Sequence, residues 1–157
     1  MIVDIARLER DGESFRGELA PEVVDWGLSE NDYATPSGGL CYDLFVQRLG
    51  DELLVRGRAG QDFVRTCARC AGAFLEHLAE SDVVLTLPLE DAEPFVDLTD
   101  PLRESILLHF PEHPVCRPDC RGLCPKCGAD LNEGPCRCGD SGAADARWGE
   151  LDRLTLQ

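Results

Sequence analysis

A chain of 157 residues in which 43% are hydrophobic carries enough apolar material for one packed domain, which excludes general disorder. No stretch approaches the roughly 18 uninterrupted apolar residues of a membrane span, and the Met1–Arg7 opening has Asp4 where a secretory leader would not, so the expected location is the cytoplasm with no membrane partner. Thirty acidic residues against 15 basic ones give a formal net charge of -15, which excludes broad adhesion to nucleic acid but leaves room for a local basic face.

Near the start, Ile2, Ile5 and Leu8 stand three apart and fit either a helical stripe or a short strand. Arg10 to Ser14 reads as a turn and Phe15 to Leu19 as a strand. Tyr33 to Gly39 reads as a loop, because Pro36, Gly38 and Gly39 interrupt periodic structure. Segments 40–49, 52–59, 62–67 and 73–87 are rich in Val, Leu, Phe and Thr. Gly50-Asp51, Gly60-Gln61 and the Cys67–Gly72 stretch separate them, as in an antiparallel meander. Pro88 ends the last of these strands, and Glu90 to Asp97 reads as an acidic loop. A helix is expected over about 100–110, capped by Asp100, with Pro101 in its first position and Leu98, Leu102, Ile106 and Phe110 on one side. Pro111 and Pro114 end it. After Gly142 a terminal helix is expected from Trp148, Leu151 and Leu154.

Nine cysteines in a reducing compartment point to metal ligands or redox groups rather than a disulfide framework, and an odd number cannot pair completely. Six of them, Cys116, Cys120, Cys124, Cys127, Cys136 and Cys138, crowd one short run. Its central element is Cys124-Pro125-Lys126-Cys127-Gly128. Two thiolates two residues apart can bind one ion from a tight turn, and the glycine permits the backbone that aims N–H groups at sulfur. Zinc takes four such ligands; an iron–sulfur cluster uses the same ligand type. The preferred set is Cys124, Cys127, Cys136 and Cys138, with Cys116 and Cys120 able to supply the second pair instead. Six thiols also leave open four ligands with two spare, or two ions. Four thiolates on zinc leave no position for water or substrate, so the expected role is structural and non-catalytic.

Cys67 and Cys70 repeat the two-residue gap far upstream. They fit a redox dithiol, two ligands of a site shared with the C-terminal run, or a reduced structural turn. Cys41, beside Leu40 and Tyr42, reads as an ordinary buried residue. The expected class is α+β: an antiparallel meander with a few helices and a small cysteine-rich zinc knuckle. The expected divisions are a core over 1–114, the knuckle over 115–139 and a C-terminal helix over 140–157 packed on the core.

Between residues 48 and 70, Arg48, Arg56, Arg58, Arg65 and Arg69 outnumber Asp51, Glu52 and Asp62, against a strongly acidic stretch over 80–104. Arg56, Arg58, Arg65 and Arg69 are therefore candidate contacts to RNA or a partner, unless they form a solvated face paired with nearby acids. His77, His109 and His113 stand in unrelated contexts, and the sequence holds no phosphate-binding glycine loop or nucleophile elbow. Neither an enzyme nor a small-molecule substrate is expected.

Several of these features together resemble one known family. Cys67-x-Arg69-Cys70 follows a strand, and Asp97-Leu98-x-x-Pro101-Leu102-x-Glu104-x-Ile106 leads into the run from Cys120 to Asn132. That run is similar to the signature Cys-x-Gly-Leu-Cys-Pro-x-Cys-Gly-x-x-Leu-Asn of the bacterial YceD group, named for large ribosomal RNA subunit accumulation. Asp145-Ala146-Arg147-Trp148 with Leu151 resembles the tail of that group. The resemblance covers about residues 40–156. It implies a role in 23S rRNA accumulation and ribosome assembly, with large-subunit rRNA or an assembly protein as partner, and it supplies no catalytic residue. Some members of the group lack the C-terminal cysteines while keeping the earlier pair, which implies that Cys67 and Cys70 need not depend on them.

Overall fold

A computed structural model describes residues 1–29, 33–89 and 94–138. Its elements are β1 (Ile2–Asp4), β2 (Glu13–Leu19), β3 (Ala34–Leu49), β4 (Glu52–Thr66), β5 (Ala73–Pro88), β6 (Phe95–Asp97) and α1 (Thr99–Leu107). Strands β2-β3-β4-β5 form an antiparallel sheet, and β1 pairs with β6 in a second, two-stranded one. The molecule is mostly antiparallel sheet with one short helix among the described residues, rather than a few. The expected terminal helix over 140–157 lies outside the described residues.

Alternation along the strands gives the large sheet two unlike faces. Leu40, Leu44 and Val46 on β3, Leu53, Val55 and Phe63 on β4, and Leu78 and Val83 on β5 point into the core. There they meet Leu98, Leu102 and Ile106 of the helical segment, each fully buried. Burying a side chain of this size contributes about 1.5–3 kcal/mol. Phe63 sits at the centre, with the rings of Trp26 and Phe110 edge-on at 4.9 and 4.8 Å.

Two sequence expectations fail at irregularities of the sheet. Residues 34–39 belong to β3 rather than a loop, and Gly60-Gln61 lies inside β4 rather than between two strands. The cause is one bulge. Ser37 faces Asp62 and Cys41 faces Gly60, so three residues of β3 stand opposite Gln61 alone. The buried Gln61 carboxamide fills the gap, its Nε2 donating to the carbonyls of Ser37 and Gly38 at 3.2 and 3.1 Å. Gly38 and Gly39 are compatible with a strand because the ladder is broken there, and Pro36, opposite Phe63, lies on an edge because β2 pairs with β3 only from Leu40 onward. A second bulge sits on β5, where Ser81 and Asp82 face Arg58.

The acidic loop expected up to Asp97 instead ends in β6, which pairs with β1. The helix cap also differs from expectation. Leu98 stands at the cap with no side-chain cap hydrogen bond; one residue earlier Asp97, not Asp100, accepts the Thr99 N–H (2.9 Å) and hydroxyl (2.6 Å), and the Met1 amino group contacts both Asp97 and Thr99. Asp100 stays exposed in the first turn.

Candidate metal centre

Strand β4 ends at Thr66, and the hairpin to β5 carries Cys67 and Cys70. Its backbone is a tight knuckle. The Cys67 N–H donates to Gly72 O (2.9 Å), the Ala71 N–H donates to Cys67 O (2.9 Å), and Ala71 has a positive φ of 56°. The turn at Cys124 repeats this pattern. The Cys124 N–H donates to Ala129 O (2.8 Å), the Gly128 N–H donates to Cys124 O (2.8 Å), and Gly128 has a φ of 72°. The two Cys-x-x-Cys segments thus build the same backbone turn twice.

The chain leaving α1 returns to the first knuckle and is strapped onto it. Ala68 N–H donates to Pro114 O at 2.8 Å. The Arg69 guanidinium donates to the carbonyls of Pro118 (3.3 Å) and Cys120 (3.2 Å). Leu123 N–H donates to Arg69 O at 3.0 Å, and Gly122, at a φ of 74°, lies so close that a Cβ there would meet Arg69 O at 3.0 Å.

The strap gathers Cys67, Cys70, Cys116 and Cys120 into one inner cluster. Cys124, Cys127, Cys136 and Cys138 form a second, outer cluster. Within each, one sulfur per residue lies within 4.8 Å of all the others. The inner cluster has Cys67 and Cys70 sulfurs 3.8 and 3.9 Å from those of Cys120 and Cys116; in the outer one Cys136 and Cys124 are 3.4 Å apart. A tetrahedron with metal–sulfur bonds of about 2.3 Å has edges of ~3.8 Å, so both donor sets fit a four-coordinate divalent ion that favours sulfur. All nine cysteines are free thiols. Of the three readings of Cys67 and Cys70, this grouping agrees with a site shared with the C-terminal run.

The electrostatics of both clusters are those of crowded thiols. Burial pushes the Cys67 thiol up, but N–H groups of Cys116, Cys70 and Arg69 outweigh it and bring it to about 6. Burial and the neighbouring Cys67 and Cys120 sulfurs push Cys116 up to about 12. In the outer cluster N–H groups of Cys127 and Lys126 lower Cys124 to about 6, whereas Cys127 and burial raise Cys138 to about 12. Each set thus holds one thiol lowered by N–H groups, Cys67 or Cys124, beside one raised by its crowded neighbours, Cys116 or Cys138.

The candidate arginines separate. Arg56 and Arg58 are exposed on the outer sheet face, in register with Phe45 and Asp43 of β3. Arg58 donates to Asp43 Oδ2 at 3.0 Å. Arg16, which sequence reasoning missed, reaches the same oxygen from β2 at 2.6 Å, and the two guanidiniums hold the Asp43 carboxyl below its usual range. The cross-strand register, rather than any motif, brings Arg16 there. A groove of about 710 Å³ beside them is lined by Arg16, Cys41, Tyr42, Arg58 and His77. Cys41 is exposed there rather than buried, because its partner residues place it on the outer face.

Arg65 does not serve as a surface contact. It points into the core, 4% exposed, bonded to Glu76 (3.3 Å) and Pro111 O (3.1 Å) and stacked 4.6 Å from the Phe110 ring centre. Arg69 is exposed but its guanidinium is engaged in the strap. His77 and His109 pair with Asp62 (2.6 Å) and Glu80 (2.7 Å), away from both clusters.

Residues 73–155 match the model of the family described as large ribosomal RNA subunit accumulation protein YceD. An uncharacterised protein of Mycobacterium tuberculosis is 33% identical over 168 residues, covering 96% of this chain and 79% of the relative. One of Mycobacterium leprae is 28% identical over 123 residues, covering 69% and 52%. The Arabidopsis thaliana protein named large ribosomal RNA subunit accumulation protein YCED homolog 1, chloroplastic, is 34% identical over 62 residues, covering 40% of this chain and 19% of that one. No solved structure matches the chain significantly. No helix among the described residues is long and apolar enough to cross a membrane.

Proposed function

This chain belongs to the YceD family, and from that premise we propose that it is a non-enzymatic factor for accumulation of 23S rRNA or assembly of the large ribosomal subunit, stabilised by structural zinc. The observation that carries the zinc reading is the gathering of eight cysteines into two sets of four, the sulfurs of each within 4.8 Å of one another and two pairs of the inner set at 3.8 and 3.9 Å. The donor chemistry favours zinc: thiolate sulfur, backbone N–H groups aimed at it, and turns of zinc-knuckle form. Four thiolates saturate the ion, so the metal holds structure and leaves no position for a reacting water. In this reading residues 1–114 form the core and 115–139 the knuckle segment, which has little apolar core of its own and folds with its metal.

The outer sheet face is the docking side. Arg56 and Arg58, joined by Arg16, meet the large-subunit rRNA or an assembly protein there, in the cytoplasm. The chain's net charge of -15 keeps the rest of the surface from holding RNA non-specifically.

Elemental analysis of the purified protein, with sedimentation of tagged protein against ribosomal particles, tests both parts. Two zinc ions per chain and co-migration with large-subunit precursors, weakened by salt and by Arg56→Glu with Arg58→Glu, are expected. Iron in place of zinc, or no particle association even at low salt, would overturn the corresponding half.

A further inference from the structure

The loop between Cys127 and Cys136 carries one side chain that reaches out of its own cluster. Asn132 Nδ2 donates to the Cys120 sulfur of the inner cluster at 3.5 Å and to Asp130 Oδ1 at 2.7 Å. Its Oδ1 accepts from the Arg121 N–H at 2.9 Å and from the Arg117 guanidinium at 2.8 Å. Asn132 therefore grips the turn bearing Cys120 from both sides, while the Leu131 N–H donates to Gly122 O at 2.9 Å and closes the linker between the clusters.

We propose that Asn132 is a positioning residue that couples the two metal sites, so that filling the outer one tightens zinc binding at the inner one. This rests on the zinc reading above. The physical argument has two links. Backbone bonds to Cys124 and Gly122 hold part of the eight-residue loop between Cys127 and Cys136, and a metal closing both of its ends would remove the freedom that remains. Once held, its carboxamide offers a fixed donor to a thiolate of the inner site and fixes the backbone beside it. Outer partners of this kind set ligand geometry and spread the negative charge of a tetrathiolate; losing one typically lowers metal affinity about 10–100-fold. Coupling between binding sites is reciprocal, so the inner ion also favours the outer one.

The test is a binding cycle on the full chain, read by zinc competition with a chromogenic chelator. Cys136→Ser with Cys138→Ser isolates the inner site, and Cys67→Ser with Cys70→Ser isolates the outer. The two-ion binding constant of the unaltered chain should exceed the product of the isolated constants by about tenfold or more. That excess should vanish in Asn132→Asp, which keeps an acceptor for Arg117 and Arg121 but loses the donor to sulfur. Asn132→Ala, which adds no charge, should do the same. An unaltered chain whose constant equals the product overturns the coupling, an excess that survives both Asn132 variants overturns the role of Asn132, and either outcome leaves two zinc sites standing. Uptake of fewer than two ions overturns the two-zinc reading and the coupling together.

Discussion

The sulfur of Cys67, just beyond β4, lies 3.8 Å from that of Cys120, 53 positions further along the chain. Cys70 and Cys116 stand in the same relation at 3.9 Å. The inner cluster thus joins the end of the sheet to a segment that follows the helix, and the proposed metal would there cross-link distant parts of the chain.

Removal of the proposed zinc is accordingly expected to release the 115–138 segment while the four-stranded sheet persists. Trypsin should then cut rapidly at Arg121, Lys126 and Arg137, but not at Arg117, which precedes Pro118, with the far-ultraviolet circular dichroism of the sheet largely retained. Equal cleavage with and without a chelator would contradict this. Binding must displace protons from Cys116 and Cys138, each at about 12 without metal, so affinity should rise with pH across the neutral range.

Gly57 has a φ of 147°, and a Cβ there would lie 2.1 Å from Asp43 O on the neighbouring strand. Gly57→Ala is expected to cost at least about 2 kcal/mol, measured by urea unfolding, because strand β3 must move away. Zinc content should remain unchanged, since the knuckles lie elsewhere.

Ala71 occupies in the first knuckle the left-handed position that Gly128 occupies in the second. Ala71→Gly relieves a strained alanine and should stabilise the folded protein by about 0.5–1 kcal/mol, seen as a higher thermal midpoint. A lower midpoint would mean that chain entropy outweighs the strain.

Asp97 carries the acid dependence of the helix start. Burial raises its pKa, but the Thr99 hydroxyl and N–H and the Met1 amino group outweigh this and hold it below the ordinary 3.8. Its contribution is full above that value and is lost as pH falls through the depressed one. Asp97→Asn should cost no more than about 0.5 kcal/mol at pH 7, because the carboxylate is largely exposed and screened by solvent, and the gap to the unaltered chain should close in strong acid, as followed by denaturant midpoints.

Local chemistry made part of this arrangement legible in the sequence. The spacing of Leu98, Leu102 and Ile106 marks the buried helix face, and the eight-residue interval from Cys127 to Cys136 points to the outer set that the structure gathers. What was hidden depends on distant partners. Pro36, Gly38 and Gly39 look like loop residues until Gln61 is seen filling the bulge opposite them. Arg65 looks like a surface cation until Glu76, Pro111 and Phe110 surround it. The grouping of Cys67 and Cys70 with Cys116 and Cys120 follows from the strap at Arg69 and Gly122, which no local periodicity encodes.

The order of the inner ligands also has a consequence during synthesis. Cys70 precedes its neighbour Cys116 by 46 residues. At roughly 5–20 residues per second, the first thiol pair exists for roughly 2–10 s before its partners have been made. For that interval the nascent chain offers two bare thiols to any oxidant or stray copper ion. Correct maturation therefore depends on how well the cell guards unfinished chains, before the finished protein has any work to do.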